Sequence, residues 1–244
     1  AVYRPRQMDS GIKKYLGKSG NFDADDLVDL IFQQKNAPYL ITRKILKWFI
    51  YDNPPEELVK YYGDYLRKVD FEIAPFLKML FLTEYKKPTA GSKIKDPLLF
   101  GLQLLEELQA VGVRPRAILQ FLKIQGMDLM NPPNVKGWDG GRSWLTSQVF
   151  LHRNKVSDSL CRNKMYEGRK AKKIQTRLDW NPNGSHKSII HELSERLLFQ
   201  VDENLQKDME SILKYDFDPQ SQNANQAVLR LFNFITKTPE FQLI

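Results

Sequence analysis

Apolar residues recur at three- and four-residue spacing along most of the chain, which is the period of an amphipathic helix. From Asn21 onward there is no sustained alternation of apolar and polar residues of the kind that a sheet requires. The pattern predicts an all-α fold, a single irregular domain of about nine to ten helices over residues 1–244. The predicted helices begin at Asp23 and Pro55 and span about 37–51, 71–85, 96–112, 115–125, 143–160, 186–200, 203–215 and 222–237.

A cluster of acids marks the start of the first helix. Asp23 precedes the apolar stripe, and Asp25 and Asp26 follow it in the first turn, where negative charge favours the helix dipole. The cluster also has the composition of a calcium loop, but the glycine that an EF-hand needs for its sharp turn is missing. We therefore interpret the cluster as a helix cap.

The helix predicted at 37–51 shows where sequence spacing places a core face. Its large apolar residues recur at helical intervals, whereas lysines occupy the intervening positions. We expect the following side chains to face inward: Leu40, Ile41, Ile45, Trp48 and Phe49.

Residues 126–144, named here the Trp138 loop, interrupt the helical pattern. Two prolines, four glycines and two tryptophans predict a structured loop, in which the glycines permit positive φ and Trp138 and Trp144 act as anchors. Arg153 lies about two and a half helical turns beyond Trp144, within reach of loop carbonyls or Asp139. A rigid structural corner is favoured over a ligand-binding loop, and the binding hypothesis names Trp138, Asp139 and Arg153.

Charge is concentrated in one stretch of the chain. Lys and Arg number 37 against 29 Asp and Glu, for a net charge of +8, and residues 152–177 alone hold nine basic and two acidic residues. This basic tract predicts binding to an anionic polymer or an acidic protein, and its alternative is a solvated surface. Its candidate binding residues are Arg169, Lys170, Lys172 and Lys173. Aromatic residues are scarce there, so nucleic acid is disfavoured, and we expect residues 164–185 to be flexible.

Other chemistry is weakly represented. The string Gly17-Lys18-Ser19 lacks the glycine spacing and the preceding strand of a phosphate loop. His186 and His191 are five residues apart, so they do not share a helix face, and Cys161 is expected to be a buried, inert thiol. No metal, cofactor or catalytic residue is predicted. No apolar run reaches the length of a membrane span.

Several ordered motifs nevertheless resemble one protein family. These are the stretch PPNVKGWDGGRSWLTSQVFLHRN at 132–154, the opening YRPRQMDSGIKKYLGKSGNF, the helix pair APYLITRKILKWFIYDNPPEELV, the helix start SKIKDPLLFG and the closing TPEFQL. Together they are similar to the signature of a bacterial family called domain of unknown function 1800. The chain departs from that pattern at Met8, where histidine is expected, and at Glu107, where many members carry arginine.

The resemblance implies a location and a wider context. It implies an exported bacterial protein, periplasmic or extracellular, of which this chain corresponds to the C-terminal half. We expect a helical module that is not catalytic by itself and acts in binding or assembly, with an anionic partner at the basic tract. The competing hypothesis is a hydrolase whose site is completed near the Trp138 loop by a preceding half.

Overall fold

The computed structural model describes residues 9–85, 87, 89 and 91–244. Helix accounts for 53% of the described residues, and that part of the chain contains ten α-helices. The all-α prediction is confirmed, with the addition of two short antiparallel hairpins. The chain forms two compact units, Ala1–Pro88 and Thr89–Ile244. That they constitute a single domain stays a prediction.

The N-terminal unit contains a hairpin followed by four helices. The hairpin pairs β1 (Lys13–Tyr15) with β2 (Lys18–Gly20). Leu16 and Gly17 form its turn at φ 48° and 81°, and two successive positive φ angles are typical of a two-residue hairpin turn. The helices are α1 (Ala24–Phe32), α2 (Ala37–Phe49), α3 (Glu56–Lys68) and α4 (Ile73–Glu84).

The cap predicted for the first helix is present. The Asp23 carboxylate accepts hydrogen bonds from the backbone N–H groups of Asp25 and Asp26 at 2.9 and 3.0 Å. The Asp26 carboxylate in turn accepts from the Asp23 N–H at 3.0 Å. This reciprocal pair is a capping box, so helix initiation accounts for the acid cluster.

The small core of this unit corrects one prediction about α2. Leu40, Trp48 and Phe49 do not face the core, because they are 58%, 57% and 52% exposed. Only Ile41 and Ile45 of the predicted set pack against it. The physical reason is that α2 packs mainly against α3, and one neighbouring helix covers only one stripe of its surface. The buried residues are Leu46, Val59, Tyr62, Leu66, Phe76 and Leu80.

The C-terminal unit contains six helices and the second hairpin. Every one of these helices was predicted, with ends that fall within about five residues of the structure. Short 3-10 turns occupy Gly141–Leu145 and Glu240–Gln242. The remaining elements are α5 (Pro97–Glu107), α6 (Pro115–Ile124), α7 (Ser147–Leu160), β3 (Lys164–Glu167), β4 (Lys170–Lys173), α8 (His186–Leu197), α9 (Glu203–Ile212) and α10 (Ala224–Ile235).

The last residues of the chain pack back onto the segment before α5. The Lys95 N–H donates to the Gln242 carbonyl at 2.8 Å, and the Ile244 N–H donates to the Lys93 carbonyl at 2.8 Å. Phe241 is fully buried in the same core as Phe100 on α5. This return of the chain places the Gln242 side chain inside the unit, where it meets α7.

The segment 164–185 has definite anchors in the structure. Met165, Ile174 and Leu178 are at most 8% exposed and belong to the main core. Backbone hydrogen bonds also join Val111 to Gln175, in an isolated antiparallel bridge. The flexibility expected for this segment is not tested by these contacts and stays a prediction.

Candidate functional site

The predicted binding cations lie on the second hairpin, residues 164–173, named here the basic hairpin. Its strands are antiparallel, with Lys164 opposite Lys173 and Glu167 opposite Lys170. The structure brings all four predicted cations together on this element and leaves each exposed: Arg169, Lys170, Lys172 and Lys173. Within the described part of the chain none of these four forms an ion pair.

Neighbouring elements hold the basic hairpin in place. The Met165 side chain enters the core and is 5% exposed. At the turn, the Gly168 N–H donates to Gln120 Oε1 on α6 at 2.6 Å. After β4, the Ile174 N–H donates to the Asn163 carbonyl at 3.0 Å. The element that carries the exposed cations therefore contacts the rest of its unit at both ends and at its turn.

A cavity of about 480 Å³ lies between the basic hairpin, α6 and α7. Its lining on α7 includes His152, Lys155, Val156 and Ser159, whose spacing of three, four and seven positions forms one helix face. Sequence reasoning did not find this site. The spacing of these four residues shows that they share one face of α7. It indicates a cavity only when it is known that α6 and the basic hairpin lie opposite that face.

The Trp138 loop has the backbone predicted for it. Gly137, Gly140 and Gly141 have φ of 93°, 74° and 54°, which residues with a Cβ rarely adopt. Trp144 is buried and Trp138 packs half-buried against the core. Both tryptophans therefore serve as the expected anchors. Trp138 Nε1 is buried without a hydrogen-bond partner among the described residues, and Asp139, the neighbouring candidate, is exposed.

Arg153 is the only one of the seven predicted binding residues that is completely buried. Its guanidinium donates to Gln125 Oε1 at 2.8 Å, to Gln242 Oε1 at 3.0 Å and to the Lys95 carbonyl at 2.8 Å. It also lies 4.5 Å from the centre of the Phe100 ring. The expected contact with loop carbonyls is thus made at Lys95, outside the Trp138 loop.

The surroundings of Arg153 bear on the hydrolase hypothesis. That hypothesis requires a cleft near Trp138 and Arg153 lined by carboxylates. The guanidinium instead contacts amide and carbonyl oxygens, and burial lowers its pKa to about 10, with Asp96 partly opposing the effect. These contacts describe a structural clamp joining α6, α7 and the end of the chain, and they give the hydrolase hypothesis no support.

A second buried cation, Lys95, accompanies Arg153, and its burial was not predicted from the sequence. Lys95 is 4% exposed, and its Nζ donates to the Phe241 carbonyl at 2.7 Å. Burial, followed by repulsion from Arg153, lowers the pKa of Lys95 to about 8. Two positive side chains are therefore held in one core region by neutral oxygens and aromatic faces.

Cys161 is partly buried, where full burial was expected, and the pKa of its thiol is raised as expected of an inert group. Burial, with a smaller contribution from the Asp158 carboxylate, raises the pKa of the Cys161 thiol to about 12. A thiol protonated to that degree is a poor nucleophile at neutral pH. The cationic neighbours Arg162 and Lys164, which could have activated it, are not among the groups that determine this pKa.

Comparison with known families confirms the family resemblance noted in the sequence. The family model described as "Protein of unknown function (DUF1800)" matches residues 1–243. The chain belongs to the DUF1800 family. Neither a curated protein nor a solved structure matches the chain.

The DUF1800 motifs noted in the sequence can now be placed in the fold. The stretch at 132–154 ends in the buried clamp at Arg153, and the closing TPEFQL contains its partner Gln242. Two motifs far apart in sequence therefore meet at one guanidinium. Of the two departures from the family pattern, Glu107 pairs with Arg196 at 2.9 Å, and Met8 lies outside the described residues.

The remaining features of the DUF1800 chain concern metal binding and membrane insertion. In the described residues, no group of three or more His, Cys, Asp or Glu side chains is placed to hold a metal ion. None of the helices in that part of the chain has both the length and the apolar composition needed to span a bilayer.

Proposed function

We propose that this chain is a binding module that docks an anionic polymer or acidic partner on the basic hairpin. The observation that carries the proposal is a set of four exposed cations on one element, none of which pairs with an acid among the described residues: Arg169, Lys170, Lys172 and Lys173. Cations without internal partners remain available to external anions. The contacts that join the hairpin to neighbouring elements would reduce the ordering cost of binding.

The pairing of the strands supports this proposal. Lys164 lies directly opposite Lys173, and like charges at such positions destabilise a hairpin by a few tenths of a kcal/mol. A bound polyanion would convert that repulsion into a favourable contact. Outside the basic tract the chain has 28 basic and 27 acidic residues, so the charge excess is local to this surface.

The chemistry of the partner follows from what the hairpin presents. Tyr166 is its one aromatic residue, which gives little platform for stacked bases, so a polysaccharide or acidic protein fits better than nucleic acid. The exported location implied by the family resemblance is part of this proposal. It would place the module near anionic polymers of the cell surface.

The test is salt-dependent binding to heparin, used as a model polyanion, by the wild type and two charge-matched variants. One variant replaces the four hairpin cations with Gln. The control replaces four exposed lysines elsewhere, Lys60, Lys68, Lys207 and Lys214, with Gln. Both variants lose four positive charges, so net charge alone cannot separate them.

We expect the hairpin variant to bind at least tenfold more weakly than the control at low salt. Its slope of log K against log salt should also fall by about one for each lost contact. Equal losses in the two variants would show that only net charge matters, and binding that is independent of salt would overturn the proposal.

A further inference from the structure

The cavity beneath the basic hairpin is distinct from its exposed surface. At about 480 Å³ it lies within the range of small-molecule sites. Its apolar lining comes from three elements, with Phe121 on α6, Val156 on α7 and Met165 on β3. The His152 ring stacks beside Phe121 at a centroid distance of 5.6 Å. This lining suits the apolar body of a small ligand.

Two polar groups of the lining have no hydrogen-bond partner among the residues that the structure describes. His152 Nε2 and Ser159 Oγ are buried and make no hydrogen bond within the described structure. They lie seven positions apart on α7, which places them on one face, and both residues line the cavity. A buried polar group without a hydrogen-bond partner destabilises the folded state, which is a free-energy cost. A ligand that offered each of them a partner would recover part of that cost.

The charges around the cavity determine the sign of the ligand. Lys155, Arg162 and Lys164 belong to its lining. The one carboxylate of the lining, on Asp158, is already engaged by Lys237 Nζ at 2.6 Å and by Asn233 Nδ2 at 2.8 Å. The positive charges of Lys155, Arg162 and Lys164 therefore favour a negatively charged ligand.

We propose that this cavity binds a small amphipathic anion, with an apolar body and a single carboxylate or phosphate head. The body occupies the space lined by Phe121, Val156 and Met165, and the head lies among the lysines near His152 and Ser159. The proposal does not rest on the polyanion function, because Arg169, Lys170, Lys172 and Lys173 take no part in it.

The first experiment is calorimetric titration of the full chain with octanoate, octyl phosphate and 1-octanol. We expect at least one of the two anions to bind tenfold or more tightly than the alcohol. The tighter anion identifies the head group. Equal binding of the alcohol and both anions would overturn recognition of the head, and no binding of any probe would overturn the site.

Two variants on the same helix localise the binding. Val156→Phe fills the cavity, whereas Leu151→Phe adds the same ring to an exposed position of α7. Octanoate affinity should fall at least tenfold only in the first. An equal effect of both variants, or of neither, would contradict the assignment.

A surface variant keeps the test decisive if Val156→Phe does not fold. Replacing Lys155 and Lys164 with Gln should weaken octanoate binding about tenfold, whereas Lys207→Gln on α9 should not alter it. Octanoate should also shift the imidazole NMR signals of His152 and leave those of His186 and His191 on α8 in place. Shifts confined to His186 or His191 would overturn the proposal.

The two proposals can fail separately. The four-Gln hairpin variant should lose heparin binding and retain octanoate binding. Val156→Phe should show the opposite behaviour. Loss of both activities in both variants would mean that the cavity and the hairpin surface are one site, which contradicts the independent pocket.

Discussion

Arg153 and the cations of the basic hairpin belong to one basic tract, yet the fold uses them in opposite ways. Arg153 is fully buried and donates three hydrogen bonds to neutral oxygens. Lys170 and Lys172 are exposed and unpaired with any described acid. Local charge density in a sequence therefore does not distinguish a buried, hydrogen-bonded cation from an exposed one. The distinction depends on which acceptors the rest of the chain supplies.

The comparison between buried and exposed cations predicts that the largest change in stability follows replacement of Arg153. Arg153→Met should lower the free energy of unfolding by about 3–5 kcal/mol, because Gln125, Gln242 and the Lys95 carbonyl lose their buried donor. Heparin binding of the folded fraction should be unchanged. Urea denaturation followed by circular dichroism measures the first quantity.

Arg169→Met is the matched control for this experiment. Arg169 is exposed, so its replacement should change stability by less than about 0.5 kcal/mol. If the two variants were equally stable, the clamp would contribute nothing and the contrast between the two sets of cations would be lost.

Lys95 is expected to make a smaller contribution to folding stability, and that contribution depends on pH. The pKa of Lys95 is lowered to about 8 in the folded state by burial and by Arg153, whereas an unperturbed lysine titrates near 10.5. Between these values the unfolded chain binds more protons, so stability rises with pH. From pH 7.5 to 9 the expected gain is about 1 kcal/mol.

The difference between the wild type and Lys95→Met isolates this contribution, since other titrating groups are common to both proteins. Urea denaturation at several pH values should show that the stability of the wild type relative to Lys95→Met rises by about 1 kcal/mol from pH 7.5 to 9. Parallel curves would mean that Lys95 titrates normally, and that the region around Arg153 holds only one perturbed cation.

The smallest effect concerns the strand pair of the basic hairpin. Lys173→Glu replaces the repulsion with Lys164 by attraction and should stabilise the fold by about 0.5 kcal/mol. The same change should weaken heparin binding. Thermal denaturation and heparin affinity measured together would reveal these opposite signs, whereas a loss of both would show that Lys173 is structural, like Arg153.

Helix positions could be predicted because their signals are local. The capping box of α1 involves only Asp23 and Asp26, three residues apart. The prolines that mark the starts of α5 and α6 are the first residues of those helices. The two hairpins were missed because strands of three or four residues are too short to show alternation. The outward positions of Trp48 and Phe49 were missed because spacing does not reveal how many neighbours a helix has.

The basic hairpin and the cavity also differ in whether their sequence signals are local. The cations of the basic hairpin were found from composition alone, since four lie within five consecutive residues. The cavity required knowledge of which helix faces α7. The burial of Arg153 was hidden because Gln125, Lys95 and Gln242 lie 28, 58 and 89 positions away along the chain.

The separation between Arg153 and Gln242 also has a consequence for biosynthesis. At about 5–20 residues per second, a ribosome needs about 4–18 s to add the 89 residues between them. During that interval the guanidinium lacks one of its acceptors, and water is its natural substitute. The order of translation therefore favours late completion of folding in the C-terminal unit, because the Arg153 contact cannot form until Gln242 has been synthesised.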